Sequence, residues 1–143
     1  VDVRGAGHEQ GGAAAGARGG GEGLPDGGRF WFRVRGQEHP FCATEMPLWR
    51  LSVEPGSPPL ALPGKQFIDW GGAQRWLISD EPAGRIREVA LQMGGHAQLF
   101  RGGDRAGVIN QPLPSALMQL HQQLKQAFDP QGIFNPGRLY PEF

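Results

Sequence analysis

The chain has little of three things that would place it in large classes of protein. Its 143 residues include one cysteine, so no disulfide can form within the chain, which fits a reducing compartment such as the cytoplasm. Lysine plus arginine and aspartate plus glutamate number 14 each, so no net charge attracts nucleic acid or an anionic membrane. No apolar run reaches the ~20 residues that a membrane-spanning helix needs. These absences argue against a disulfide-stabilised, a nucleic-acid-binding or a membrane-spanning protein.

Glycine, by contrast, is abundant and is concentrated at the start of the chain. Eleven of the 24 glycines lie within residues 1–28, a stretch with neither helical nor strand periodicity. Its Gly, Ala and Arg residues bury too little apolar surface to offset the loss of chain entropy on folding. We therefore predict a disordered arm or linker over residues 1–28 and one folded domain over residues 29–143. Translation of GC-rich DNA in a shifted frame is a second hypothesis for the arm.

Alternating apolar and polar residues predict a sheet in the folded part. In residues 48–54, Trp49, Leu51 and Val53 fall on one face, which is the pattern of a half-buried strand. A Gly71-Gly72 pair separates two further strand-like stretches, and such a pair is a strong hairpin signal. Residues 96–100 predict a fourth strand. The aromatic stretch over residues 29–41 is compatible with a short helix or an extended segment that ends at Pro40.

Two segments show helical periodicity. Between residues 79 and 95, we expect Ser79 or Asp80 to cap a helix and Pro82 to lie in its first turn. The second helix is predicted from about Pro114 to Phe128, and Asp129-Pro130 ends it. Leucines three or four residues apart form its apolar stripe. The order of elements predicts an α+β fold: a mostly antiparallel sheet of about four strands, with two main helices packed on one face.

The last stretch carries a family resemblance. "LHQQLKQAFDPQGIFNPGRLYP" resembles the C-terminal signature of the FAD-linked oxidases, the vanillyl-alcohol-oxidase-like superfamily, in which a helix ends at an Asp-Pro turn before an Asn-Pro-Gly motif. Further stretches narrow the resemblance to the FAD-binding E subunits of bacterial glycolate oxidases: "PLWRLSVEP", "PPLALPG", "IDWGGAQRWL" and "GGHAQLFRGGDR". The resemblance covers about residues 30–141, and it identifies them as a C-terminal cap domain.

The resemblance implies an activity, a cofactor and partners. Enzymes of this kind oxidise glycolate to glyoxylate and pass the electrons through flavin to the respiratory chain. FAD is bound mainly by a domain that these 143 residues lack, so we expect this chain alone to be inactive. The implied partners are a second flavin subunit and an iron–sulfur subunit. The implied location is cytoplasmic, with peripheral attachment at the inner membrane.

Four residues are candidates for the site. Oxidation of a 2-hydroxy acid needs a cation for the carboxylate and a base for the hydroxyl proton, which suit arginine and histidine. Arg50 lies on the polar face of the first strand and faces either the flavin cleft or water, and His96 is the candidate base or a hydrogen-bonded structural histidine. The Asn-Pro-Gly turn aims Asn135 and Arg138, which we predict to contact the cofactor. The stretch "GGHAQLFRGGD" contains one histidine and no second ligand at usable spacing, so we predict no metal site.

Alternative interpretations of Arg75 and of the whole chain stay open. Arg75 lies roughly across the hairpin from Asp69, and a structural ion pair between them is the favoured interpretation. The whole chain is alternatively a non-catalytic module that assembles such a complex and shields its flavin. A further alternative is that the chain is part of another FAD-linked 2-hydroxy-acid dehydrogenase.

Overall fold

The computed structural model describes residues 25–142. Within this range the α+β prediction is confirmed: four strands form one antiparallel sheet, accompanied by three α-helices. The elements are α1 (Gly27–Arg35), β1 (Leu48–Ser52), β2 (Lys65–Asp69), β3 (Gln74–Ile78), α2 (Ala83–Gln92), β4 (His96–Arg101) and α3 (Ser115–Phe128).

The strands lie in the spatial order β2-β3-β1-β4, with antiparallel pairing throughout. The predicted hairpin is present as β2 and β3, whose connection is a short 3-10 turn over Trp70–Gly72. Gly71 and Gly72 both have positive φ in this turn, which explains why glycine suits the two positions. A register shift between Leu48 and Trp49 places a bulge in the β1–β4 ladder. Strand β1 is an interior strand, because it is hydrogen-bonded to β3 on one side and to β4 on the other.

One face of the sheet forms the core. Trp49, Leu51 and Val53 are buried as the alternation predicts, and Leu77 of β3 joins them. Helix α2 and the loop before β2 cover this face, and they contribute Ile86, Val89, Ala90, Leu60 and Leu62. Burying such side chains is the main favourable term in folding, at roughly 1.5–3 kcal/mol for each large one. The sheet and α2 thus form a self-contained packed unit.

Helix α2 starts later than the sequence predicts. Its N-cap position is Pro82, and no side chain caps the helix. The Ser79 hydroxyl instead accepts a hydrogen bond from the backbone N–H of Glu81 at 3.3 Å, which makes a small turn before the helix. Ser79 itself is buried beside the sheet. The prediction of a Ser79 or Asp80 cap is therefore wrong, because the chain needs those residues to leave β3 before it can turn into the helix.

The first helix resolves the ambiguity over residues 29–41. Helix α1 begins at Gly27, and the Asp26 carboxylate accepts a hydrogen bond from the Arg29 backbone N–H at 3.0 Å. Two glycines assigned to the arm thus form the first turn of a capped helix. The predicted disorder of residues 1–24 lies outside the described residues. The boundary of the arm at residue 28 stays a prediction.

The last helix differs from α2 in its packing. Helix α3 has the predicted bounds, yet none of its residues, all within the described part of the chain, is buried. Leu117, Leu120 and Leu124 are 40–50% exposed, and Phe128 is 83% exposed. A helix packed on the sheet would bury this stripe. Periodicity correctly predicted which side is apolar, but the sheet does not cover it.

Arg75 plays a different structural role from the one predicted. It is buried on the core side of β3, and it donates hydrogen bonds to the backbone carbonyls of Gly72, Ser57 and Pro58 at 2.7, 2.8 and 3.4 Å. The Asp69 carboxylate instead accepts from the backbone N–H of Trp70. The ladder pairs Asp69 with Gln74, so Arg75 points to the opposite face. The predicted Arg75–Asp69 ion pair is therefore wrong, and Arg75 fastens the proline-rich loop to the hairpin.

Candidate functional site

The polar candidates lie on the sheet face opposite the core, which we call the outer face. Residues directly opposite in antiparallel strands share a face, and Arg50 is opposite both Trp76 of β3 and Gln98 of β4. Ser52 and His96 form the next pair on the same face. The fold therefore brings Arg50 and His96 onto one surface although they lie far apart in the chain.

Arg50 is exposed, but its orientation is not arbitrary. Its Nη2 donates a hydrogen bond to Oε1 of Gln98 at 2.9 Å. A guanidinium carries five N–H donors in a planar fork, so one bond to Gln98 leaves most donors available. Trp76, directly opposite on the other side, packs edge-to-face against Phe100 at 5.1 Å between ring centroids. The cation thus lies between a polar neighbour and an aromatic pair, a setting suited to binding a small carboxylate.

His96 begins β4 and is exposed on the outer face. The pair of Ser52 and His96 lies two residues along the strands from the Arg50–Gln98 pair, and it is the next pair on the same face. Such diagonal neighbours on one face of a sheet are typically ~7–8 Å apart, a separation that a small 2-hydroxy acid can bridge. The arrangement allows a carboxylate on Arg50 and a hydroxyl near His96.

A segment beside β4 joins the outer face to the C-terminal tail. Ile109 accepts a hydrogen bond from the Leu99 N–H at 3.0 Å, and the Gln111 side chain accepts one from the Ala97 N–H at 2.8 Å. Between them, Asn110 accepts from Nε2 of Gln98 at 2.8 Å. Its own Nδ2 donates to the carbonyl of Leu139 at 2.7 Å. Arg50, Gln98, Asn110 and the tail are therefore linked by consecutive hydrogen bonds.

The tail is anchored a second time by Tyr140. Its hydroxyl donates to the Gln111 carbonyl at 3.2 Å, and its ring packs edge-to-face against His121 of α3. Burial raises the pKa of this phenol, and Glu142 adds to the effect. Tyr140 therefore remains a neutral hydrogen-bond donor and holds the end of the chain against both α3 and the segment beside β4.

The Asp-Pro turn that ends α3 is built around one carboxylate. Asp129 accepts hydrogen bonds from Lys125 Nζ at 2.6 Å and from the backbone N–H groups of Ile133 and Phe134 at 3.0 and 2.9 Å. The hydrogen bond from Lys125 lowers the pKa of Asp129, and the two backbone bonds add to the shift. Gly132 has positive φ within this turn, a conformation that favours glycine. The predicted helix stop is therefore a closed, charged turn.

The two tail candidates lie just beyond this turn. Asn135 and Arg138 are both exposed, and the Arg138 N–H donates to the Asn135 carbonyl at 3.2 Å, which closes the Asn-Pro-Gly turn. Asn135 has a φ of 47°, a left-handed conformation that asparagine tolerates better than most residues. Arg138 is next to Leu139, the residue bonded to Asn110. The structure connects Arg138 to the outer face, and it places Asn135 at the opposite end of the same turn.

The described residues fit the edge of a flavin better than its pyrophosphate. The connection from β3 to α2 carries Asp80 and Glu81, two carboxylates that would repel a pyrophosphate at this helix start. In contrast, Arg138 in the tail is an exposed donor suited to the carbonyl-rich ring of the cofactor. Within residues 25–142, no cluster of three or more His, Cys, Asp or Glu side chains has an arrangement that would hold a metal ion.

Aromatic side chains of the turn after α1 pack on the other half of the outer face. His39 and Phe41 both pack on Phe67 of β2, at 5.6 Å between ring centroids, and Phe30 of α1 packs on His39. These contacts leave the β1–β4 half, with Arg50 and His96, as the exposed half. The open polar surface is therefore bounded on one side by aromatic packing.

Two residues of the site were missed from the sequence. Strand alternation puts Gln98 on the same side of β4 as His96, but its contact with Arg50 depends on the β1–β4 register. Asn110 lies in a loop without periodicity, and only the hydrogen bonds on either side of it reveal its place. Strand alternation pointed to the first residue, and no sequence signal pointed to the second.

Comparison with known proteins shows which proteins the chain is similar to. Residues 102–139 match the family described as FAD linked oxidases, C-terminal domain. The chain is 47% identical over 115 residues to the glycolate oxidase subunit GlcE of Escherichia coli (strain K12), a match that covers 80% of this chain and 32% of that protein. The chain therefore spans about a third of the curated relative's length. No solved structure matches the chain. The resemblance drawn from the sequence is confirmed.

Among the described residues, none of the helices is both long enough and apolar enough to cross a membrane.

Proposed function

Because residues 102–139 match the C-terminal domain family of the FAD-linked oxidases, we propose that the chain is the cap-domain part of the FAD-binding subunit of a glycolate oxidase. The observation that carries the proposal is the 47% identity to such a subunit over a stretch that includes the outer face. The reaction is the oxidation of glycolate to glyoxylate. Its electrons leave through flavin to the respiratory chain.

The residues of the outer face divide the work of substrate binding. Arg50 binds the substrate carboxylate through the donors that Gln98 leaves available, because a planar guanidinium suits a carboxylate's two oxygens. His96, on the same face, takes the proton of the substrate hydroxyl. FAD would supply the acceptor for the hydride of the substrate carbon. Asn135 and Arg138 contact the cofactor from the tail.

The exposed apolar surface supports the presence of a covering domain. The stripe of α3 continues into the tail, where Ile133 and Phe134 are 64% and 67% exposed. Several exposed large apolar side chains on one helix and the turn after it are typical of an interface. About two thirds of the relative's length has no counterpart in this chain. The family resemblance implies that the flavin-bearing part lies there. We propose that this part of the same subunit covers α3 and the tail, and that it brings the cofactor to the outer face.

The wider assembly follows from the same proposal. The partners are a second flavin subunit and an iron–sulfur subunit, and the location is cytoplasmic, peripheral to the inner membrane. The curated relative is itself named as a subunit, which supports an assembly of several chains. We also propose a folded domain over residues 29–143 and an arm before it, whose last two residues, Gly27 and Gly28, begin α1.

The test uses the complete subunit, co-expressed with its two proposed partners. Arg50→Met should raise the KM for glycolate about 100-fold, and His96→Gln should lower kcat by roughly 100-fold or more. Dye reduction by glycolate measures both, and flavin absorbance reports whether each variant holds its cofactor. Arg85→Met, on the exposed side of α2, is the matched control. Wild-type kinetics in both variants would overturn the assignment of the site.

A second candidate function is a module that assembles the complex and shields flavin without chemistry of its own. The exposed apolar stripe of α3 favours it, because that surface serves assembly whichever subunit is catalytic. This function predicts that Leu124→Ser disrupts the complex while Arg50→Met and His96→Gln leave turnover unchanged. The two sets of variants therefore separate the functions.

A further inference from the structure

The hydrogen bonds between Arg50 and the tail form a line with a fixed direction. The Leu139 carbonyl can only accept, so Asn110 must present its Nδ2 to it, and its Oδ1 is left to face Gln98. Gln98 must then present Nε2 to Asn110 and Oε1 to Arg50. The Arg50 guanidinium can only donate, so it too requires the accepting Oε1 of Gln98 to face it. The orientation of both amides is thus determined from either end.

The middle of this line is held by the backbone. The residues before and after Asn110 each accept a hydrogen bond from a β4 N–H, through the Ile109 carbonyl and the Gln111 side chain. Gln111 is 8% exposed, so this attachment is shielded from water. Asn110 therefore has little freedom to move away from Gln98. The tail is attached to the same segment twice, through Leu139 and Tyr140.

We propose that Gln98 and Asn110 are positioning residues that orient the Arg50 guanidinium for a substrate carboxylate and couple that orientation to the docked C-terminal tail. The proposal rests on the proposed role of Arg50 as the carboxylate anchor. A long arginine side chain on an exposed strand loses rotamer freedom when it binds a ligand, and a fixed partner reduces that loss. Gln98 holds one nitrogen and leaves the remaining donors for the carboxylate.

The coupling gives the tail a function beyond packing. The Leu139 carbonyl accepts the hydrogen bond from Asn110, so displacing the tail removes this acceptor. Leu139 also follows Arg138, which we place against the cofactor. Asn110 is then free to rotate, Nε2 of Gln98 loses its fixed acceptor, and Arg50 loses its orientation. The carboxylate site is therefore complete only when the tail is in place.

The test measures kcat and KM for glycolate in the complete, FAD-loaded complex. Gln98→Leu should raise KM about tenfold, the size of one hydrogen bond to a charged group, with kcat changed less than about threefold. Asn110→Leu should raise KM in the same direction, by roughly threefold. Gln92→Leu makes the same chemical change at an exposed residue of α2, outside the line, and should keep wild-type kinetics.

Further variants separate positioning from simple loss of structure. Gln98→Glu keeps the size of the side chain and forms an ion pair with Arg50, so it should raise KM more than Gln98→Leu does. A double variant, Arg50→Lys with Gln98→Leu, should be no worse than Arg50→Lys alone, because a lysine no longer needs the orientation. Flavin content and melting temperature identify any variant that fails to fold, and Gln98→Glu then decides the question.

The outcomes distinguish this proposal from the function on which it rests. If Arg50→Met leaves the KM for glycolate unchanged, Arg50 is not the anchor and the proposed site is wrong. If Arg50→Lys raises KM while Gln98→Leu, Gln98→Glu and Asn110→Leu all behave like Gln92→Leu, the anchor stands and the positioning role is overturned. Additive effects of Arg50→Lys and Gln98→Leu would likewise overturn it.

Discussion

The sheet with α2 and the C-terminal unit of α3 with its tail use similar apolar residues in opposite ways. In the first, Leu51, Leu77 and Ile86 are completely buried. In the second, Leu120, Leu124 and Phe134 are 48–67% exposed, although the α3 residues form an equally regular stripe. The difference shows that one region is complete in itself. The other is shaped for a surface that the described residues do not supply.

The sharpest way to break this comparison is a matched pair of leucine substitutions. Leu51→Ala leaves a cavity in the core and should lower the free energy of unfolding by about 2–5 kcal/mol. Leu124→Ala, on the exposed stripe, should lower it by less than about 1 kcal/mol, because alanine favours helix and no cavity forms. Urea unfolding of the 143-residue chain, followed by circular dichroism, measures both. Equal losses would show that α3 packs on the sheet in solution.

Arg75 tests whether the core region also depends on a buried polar group. Arg75→Met keeps the apolar stem but removes the donors to Gly72, Ser57 and Pro58. The carbonyls lose a charged partner, so unfolding should become easier by about 2–3 kcal/mol. Arg85→Met, which breaks an exposed ion pair with Glu88, should cost less than about 1 kcal/mol. Equal melting temperatures for Arg75→Met and Arg85→Met would show that Arg75 does not fasten the loop to the hairpin.

Asp129 provides the corresponding test in the C-terminal unit. Its pKa is lowered in the folded chain, so the charged form stabilises the fold above the carboxyl's ordinary pKa of about 4, and this contribution is lost as the pH falls through the lowered value. Asp129→Asn should therefore lower the melting temperature at neutral pH, and the difference from wild type should shrink as the solution is acidified. Glu88→Gln serves as the exposed control. A pH-independent difference would contradict the charged-turn interpretation.

Substitutions on the apolar stripe of α3 should have the smallest effect on stability and the largest effect on assembly. Leu120→Ser together with Leu124→Ser makes the α3 stripe polar where it is already half exposed, so the melting temperature should change by only a few degrees. In the complete subunit, the same pair should reduce flavin content, because the flavin-bearing part loses its contact. Flavin absorbance per protein, measured after gel filtration, makes the comparison. Full flavin content would show that another surface is covered.

The sequence predicted those parts of the fold that local pattern determines. The strand at Trp49 and Leu51, the glycine hairpin and the last helix all follow from periodicity and turn residues. It failed where a residue's partner is set by register or by distant backbone. Arg75 faces the core because the ladder pairs Asp69 with Gln74, and a one-residue difference in register reverses the face.

The candidate site shows the same division. Alternation alone places Arg50 and His96 on polar positions, but their common face follows from the order of the strands, β1 beside β4. Asn110 has no pattern around it, and its role follows from hydrogen bonds to β4 and the tail. The exposure of α3 was also unpredictable, because an apolar stripe shows which side is covered and not which part of the protein covers it.

The Asp129 turn has a consequence for the order in which the chain folds. Its acceptor bonds reach Lys125, Ile133 and Phe134, all within five residues, so closing the turn costs little chain entropy. The bond between Arg50 and Gln98, in contrast, joins residues 48 positions apart. Local contacts form on faster timescales than distant strand pairs. The end of the chain should therefore acquire its shape before the sheet to which it is attached is complete.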